Sequence, residues 1–262
     1  MAEYYLCSTL MWNASLEEMF RFIYEQELDG IELWAQHWFT KGYSAEEYRR
    51  LAALYPVKIF IHSCSWDLNL ASLNEGIRTA SIQEVKKSID LAVELDSYEV
   101  TVHPGRFTIP CSCDESTYYD RMYQTLKELL SYARKRNVDL SLEIMEELPK
   151  EFVTSSSAMK AITRDLVSEF YYTLDIAHCK NMDVVQKELN SGIRFSKFHI
   201  SNRQKMKLHT PLPEGDYDFT TLLPELESYR IPFVIEGFDS HREFPIANKN
   251  IRFLKNFGGK QT

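Results

Sequence analysis

Apolar positions along the chain alternate between two periods. Short β-branched or aromatic runs occupy residues 4–10, 30–34, 57–62, 98–103, 138–144, 170–176, 195–200 and 231–236. Between them apolar residues recur three and four apart, the spacing of one helix face. These helical stretches begin after Ser15 and after Ser44, then continue at about residues 82–95, 118–136, 156–167, 182–189, 220–229 and 245–254. Ser15 with Glu18, and Ser44 with Glu47, have capping-box spacing.

Eight strands alternating with eight helices imply a unit of about 33 residues, the size of a βα repeat. Strict alternation calls for a parallel sheet. The expected architecture is α/β: a single (β/α)8 TIM barrel over residues 1–262. A doubly wound open sheet is the competitor, but no G-x-G-x-x-G follows the first strand. No Pro/Gly/Ser-rich linker marks a domain boundary.

Composition narrows the setting. A chain of 262 residues, 44% hydrophobic, can bury a large core without metal or disulfide staples. No apolar run approaches the roughly 18 residues that span a bilayer, and the first ten residues lack a basic n-region. The five cysteines are odd in number and scattered, which fits a reducing compartment. A soluble, cytoplasmic protein without membrane partners is expected. With 30 Lys+Arg against 38 Asp+Glu, the formal charge is −8, which argues against a general nucleic-acid partner.

The chemistry gathers where strands end. In a parallel barrel the site lies at the C-terminal ends of the strands. There the chain carries Glu32, His62, His103, Glu143, Asp175 with His178, His199 and Glu236. From His62 onward they recur at roughly one βα unit, so they would converge on one mouth. A lone histidine or carboxylate after a strand is ordinarily a core residue, a cap or a rim charge. Several buried carboxylates together are costly unless cations compensate them. Imidazole and carboxylate in combination suit Zn, Mn, Fe and related divalent ions.

Other residues carry less. Glu32 reads equally as a rim carboxylate paired with a basic residue or as a substrate contact. Trp12, Trp34, Trp38 and Trp66 follow strand ends; they are core or rim packing, or walls of a sugar pocket, with Trp66 kept as a substrate candidate. Arg203 reads as a surface arginine, with contact to a substrate phosphate or hydroxyl as the alternative. His37 and His241 are read as loop residues, and Cys111 with Cys113 as a loop thiol pair.

These motifs resemble the xylose isomerase-like barrel superfamily, which includes endonuclease IV-type AP endonucleases. The resemblance runs from about Gly30 to Gly237. It is carried by His62 with Asn69-Leu70-Ala71-Ser72, by Val100-Thr101-Val102-His103-Pro104-Gly105 and by Asp175-Ile176-Ala177-His178. His199 followed by residues 209–216 (HTPLPEGD) completes it. In the sugar isomerase and epimerase branch the resemblance implies one divalent ion (Mn, Zn, Mg or Co) held by Glu143, Asp175, His199 and Glu236. In the endonuclease branch it implies three zinc ions, with His62, His103, His178 and an Asp-x-His pair as further ligands. His209 matches that histidine, but Lys207 occupies the Asp position. The family's DNA-inserting arginine loop has no counterpart in Ala35-Gln36-His37-Trp38-Phe39.

The expected activity is isomerisation or epimerisation of a small sugar or sugar derivative, with Glu143 and Glu236 moving protons. Asp175 and His199 would hold the metal, His178 would orient a substrate oxygen, and His62 and His103 would line the pocket. The alternatives are a zinc phosphodiesterase and a non-catalytic sugar-binding barrel. Barrels of this type often pair, so a homo-oligomer is compatible with the sequence.

Overall fold

A computed structural model describes residues 2–109 and 115–258; Cys111 and Cys113 lie outside the described residues. Eight parallel strands close into a barrel in the order β1-β10-β7-β6-β5-β4-β3-β2. They are β1 (Tyr4–Cys7), β2 (Gly30–Trp34), β3 (Lys58–His62), β4 (Glu99–Val102), β5 (Asp139–Ile144), β6 (Tyr171–Asp175), β7 (Phe195–Ile200) and β10 (Phe233–Ile235). A hairpin of β8 (Asn202–Gln204) and β9 (Lys207–Thr210) follows β7. The expected (β/α)8 architecture is therefore present. No helix among the described residues is long and apolar enough to cross a membrane.

Contacts divide the chain into two compact units: residues up to Ile59 together with those from Lys197 onward, and Phe60–Ser196. In the first, β1 pairs with β10 and β2, matching Leu6 with Ile235 and Cys7 with Glu32. There Val234 of β10 lies opposite His199 of β7. In the second, β3 through β6 pair in sequence, with Glu143 opposite Thr173. Every residue of β2 and of β4 is buried. That is the condition of parallel strands covered on both faces.

The helices among the described residues are α1 (Leu16–Glu25), α2 (Ala35–Lys41), α3 (Ala45–Leu54), α4 (Glu75–Glu94), α5 (Glu115–Arg134), α6 (Ser156–Thr163), α7 (Met182–Leu189), α8 (Phe219–Glu227) and α9 (Pro245–Gly258). The Ser15–Glu18 capping box forms in full. Ser44 accepts from Glu47 N. Several boundaries differ from the periodicity reading, and three of them have a local cause. α4 begins seven residues early, because the Asn74 side chain caps Gly76 and Ile77 in a turn with no buried apolar stripe. β1 stops at Cys7, where Ser8–Met11 form a 3-10 turn. The Ser8 hydroxyl there accepts from Trp34 N, and Thr9 donates to Gly237 O, contacts a continuing strand could not make. α2 is a helix where a loop was expected: its N-cap, Trp34, has no side-chain cap to announce it, and its end is marked only by Gly42 at φ 67°.

The motif loops prove to be scaffolding for the strand ends. Asn69 Oδ1 accepts from Ala71 N and Arg106 N, both at 3.0 Å, while its Nδ2 donates to Arg106 O at 2.9 Å. This locks the loop after β3 onto the chain just past His103. Gly105 completes the contact, since a Cβ there would lie 2.3 Å from Ala71 N. After β7, Asn202 Nδ2 bonds Leu212 O and Tyr217 O, and a Cβ on Gly215 would meet Asn202 Oδ1 at 2.3 Å. Gly105→Ala is expected to cost about 1–3 kcal/mol as backbone or side chains shift to admit the methyl; urea unfolding of the variant beside the wild type measures it.

His37, expected in a loop, is buried on α2. Its ring stacks on Trp12 with centroids 4.4 Å apart, and Nε2 lies 3.0 Å from the Trp12 carbonyl. Burial lowers its pKa to about 4, with the Trp12 carbonyl opposing and Lys41 adding to the effect. The unfolded chain, with an ordinary histidine near 6.5, takes up a proton first as pH falls. The stabilisation is therefore complete above about pH 6.5 and is lost on descent toward pH 4, up to ~3 kcal/mol. Melting curves between pH 7.5 and 4.5 should fall more steeply for the wild type than for His37→Gln.

Candidate metal and sugar site

Within Phe60–Ser196, four adjacent strands each deliver one polar side chain at or just past their C-terminal ends. His62 ends β3, His103 follows β4, Glu143 lies near the end of β5, and Asp175 ends β6. The inward positions alternate with outward apolar ones, as strand geometry requires. His62 Nε2 lies 3.1 Å from His103 Nε2 and 3.4 Å from Glu143 Oε2, and His103 Nε2 lies 3.1 Å from that same oxygen. Ligand atoms of His62, His103 and Glu143 all fall within 4.8 Å of one another.

Backbone carbonyls orient these rings. His62 Nδ1 donates to Ser63 O at 2.9 Å, and His178 Nδ1 donates to Ile144 O at 2.9 Å. In the neutral imidazole the other nitrogen then carries a lone pair. For His62 that lone pair faces Glu143; for His178 it faces Glu146 and Asp175, each at 3.6 Å. Lone pairs turned toward buried carboxylates repel unless a proton or cation lies among them. A divalent ion fits this donor set. Asp175 is held in place by Ala177 N, which donates to Oδ1 at 2.6 Å.

The other unit carries its own string of charged groups. Glu32, on β2, and Lys197 and His199, both on β7, have fully buried side chains. Lys197 Nζ is 3.8 Å from Glu32 Oε1, and His199 Nε2 is 3.0 Å from Glu32 Oε2. His199 Nδ1 is 2.7 Å from Glu236 Oε2, just past β10. Burial pushes the Cys7 thiol well above its usual pKa, and the negative charges of Glu236 and Glu32 add to this.

Of the other sequence candidates, Arg203 is buried rather than on the surface, and its guanidinium donates to Lys205 O through Nε and Nη2. His209 lies on β9, with Nδ1 3.0 Å from Ser201 Oγ; Lys207 is exposed on the same strand. Trp66 is 42% exposed, whereas Trp34 and Trp38 are buried. His241 is an exposed side chain beside Asp239. Sequence reasoning passed over Lys197. Its signal was available: it stands two residues before His199, on the same face of the strand.

Comparisons with known proteins place the fold and the family. An uncharacterized protein of Methanocaldococcus jannaschii, MJ1311, is 30% identical over 204 residues, which cover 76% of this chain and 67% of that protein. The crystal structure of a D-tagatose 3-epimerase-like protein superposes with a TM-score of 0.83 at 25% identity, covering 97% of this chain and 96% of that one. The apo structure of the 3-keto-D-glucoside 4-epimerase YcjR from E. coli has the same fold, with a TM-score of 0.79 at 14% identity over 99% of this chain and 100% of that one. The family model described as xylose isomerase-like TIM barrel matches residues 20–257, and the chain belongs to that family.

Proposed function

We propose that the protein is a divalent-metal-dependent isomerase or epimerase of a small sugar or sugar derivative. The observation that carries this reading is the set of buried carboxylates and imidazoles at the C-terminal ends of successive barrel strands. Family membership supports it, as does the likeness to a protein named for tagatose 3-epimerisation. Glu143, Asp175, His199 and Glu236 would hold the ion; their strands β5, β6, β7 and β10 are consecutive around the barrel. Mn, Zn, Mg or Co each suits such a mixed oxygen and nitrogen set.

Bound there, the ion would supply Lewis acidity toward neighbouring oxygens of a hydroxy-ketone, raising the acidity of the intervening C–H. Glu143 and Glu236 exchange that proton, one removing it and the other delivering a proton to the enediolate. Delivery to the opposite face of the same carbon inverts it, and delivery to the adjacent carbon isomerises the sugar. Asp175 and His199 mainly hold charge and geometry. His178, fixed through Ile144 O, orients a substrate oxygen, and His62 and His103 line the pocket.

In D2O, metal-loaded protein given a panel of ketoses and aldoses should place solvent deuterium at one carbinol carbon of a substrate, read by NMR. A broad panel without exchange at any carbinol carbon would sink the proposal. Glu143→Gln and Glu236→Gln should each bind the ion more weakly and, with the ion supplied to saturation, still lose about 100- to 10,000-fold in turnover.

A second reading rests on one observation, the close grouping of His62, His103 and Glu143, which would suit a further ion. That arrangement would serve a zinc phosphodiesterase of the endonuclease IV type. The exposed Lys207, and the short helix α2 in place of an arginine loop, weigh against it. Metal analysis separates the two: one ion per chain without nicking of abasic duplex DNA is expected, whereas two or three zinc ions with nicking would favour the phosphodiesterase.

A further inference from the structure

Lys197 is among the largest fully buried side chains of the protein, although barrel interiors are ordinarily filled by branched apolar residues. Its ammonium faces Glu32, whose other oxygen faces His199, whose other ring nitrogen faces Glu236. The four groups form a string of ammonium, carboxylate, imidazole and carboxylate, with the first three side chains fully buried. Glu32 Oε2 and His199 Nε2 approach to 3.0 Å, close enough for the charge of one to be felt at the other.

A buried ion pair gives little net stability, since apolar residues of the same volume often serve as well or better. Packing alone therefore gives no need for an ammonium at this position. Charge does. In a desolvated interior a unit charge a few ångströms away is felt far more strongly than in water. Glu32 and Lys197 together contribute no net charge behind His199, and removing either one leaves a full charge of known sign.

We infer that the buried Glu32–Lys197 pair sets the electrostatic potential at the ion position served by His199, which makes both positioning residues for the metal. The inference rests on the functional reading above and assigns Glu32 to charge balance rather than to substrate contact. It makes a prediction of sign that a merely structural pair would not. Glu32→Gln leaves a net positive charge and should weaken cation binding. Lys197→Met leaves a net negative charge and should strengthen it or leave it unchanged. The double variant, neutral again, should return toward the wild type.

The experiment is calorimetric titration of metal-free protein with Co2+, accompanied by melting of each metal-free variant to confirm folding. Glu32→Gln should raise the Kd for Co2+ by about 10- to 100-fold, the usual range for loss of a supporting group behind a metal-binding histidine. The double variant should recover most of that loss. This comparison remains decisive even if Lys197→Met alone fails to fold around an uncompensated carboxylate. Both single variants weakening Co2+ binding, or a double variant no tighter than Glu32→Gln, would overturn the inference. If His199→Ala abolishes binding while Glu32→Gln leaves it unchanged, the inference falls and the metal-centre reading stands. A wild type that binds no Co2+ overturns both.

Discussion

Burying carboxylates at the ends of barrel strands is the constraint on which this structure turns. Glu32, Glu143, Asp175 and Glu236 are all removed from water, and an isolated buried carboxylate is strongly unfavourable. Each is answered locally. Around Glu143 stand His62, His103 and His178; Asp175 takes the Ala177 amide and lies near His178. Glu32 has Lys197 and His199, and Glu236 has His199. The arrangement is electrostatically expensive as a core and chemically useful as a place to hold a cation and move a proton.

Such a cluster is effective only if the strand ends are rigid, and the loops supply that rigidity through backbone contacts. The Asn69 amide bridges to the chain after His103, with Gly105 seated on Ala71. The Asn202 amide gathers Leu212 and Tyr217, with Gly215 packed against it. The family motifs outside the ligand positions are thus explained as loop closure. Their residues hold the loops beside those histidines and carboxylates in place through backbone contacts. This division also fits a fold that hosts several activities, where scaffold and reacting groups are separable.

The strand-and-helix alternation was legible in the sequence because it depends on period and residue type, both local properties. Ser15 and Ser44 announced their helices for the same reason, through oxygen atoms that reach amides three residues on. The strand-end residues could likewise be picked out, since His62, Glu143 and Asp175 each interrupt an apolar run. Helix α2 was hidden because Trp34 offers no capping oxygen, and the start of α4 because its first two turns bury nothing before Ser81.

Other features were decided by tertiary structure alone. His37 is buried, with its ring stacked on Trp12, distant in sequence, and that burial lowers its pKa. Arg203 is withdrawn from the surface because the turn after β8 brings the Lys205 carbonyl to its guanidinium. Glu32 is paired with Lys197 because β2 and β7 carry them to the same part of the interior. The sequence by itself determined which residue types stand at the strand ends and how often they recur, since both follow from chain-local periodicity. Which imidazole faces which carboxylate, and which ammonium balances it, was settled only by strand pairing, which joins residues more than a hundred positions apart.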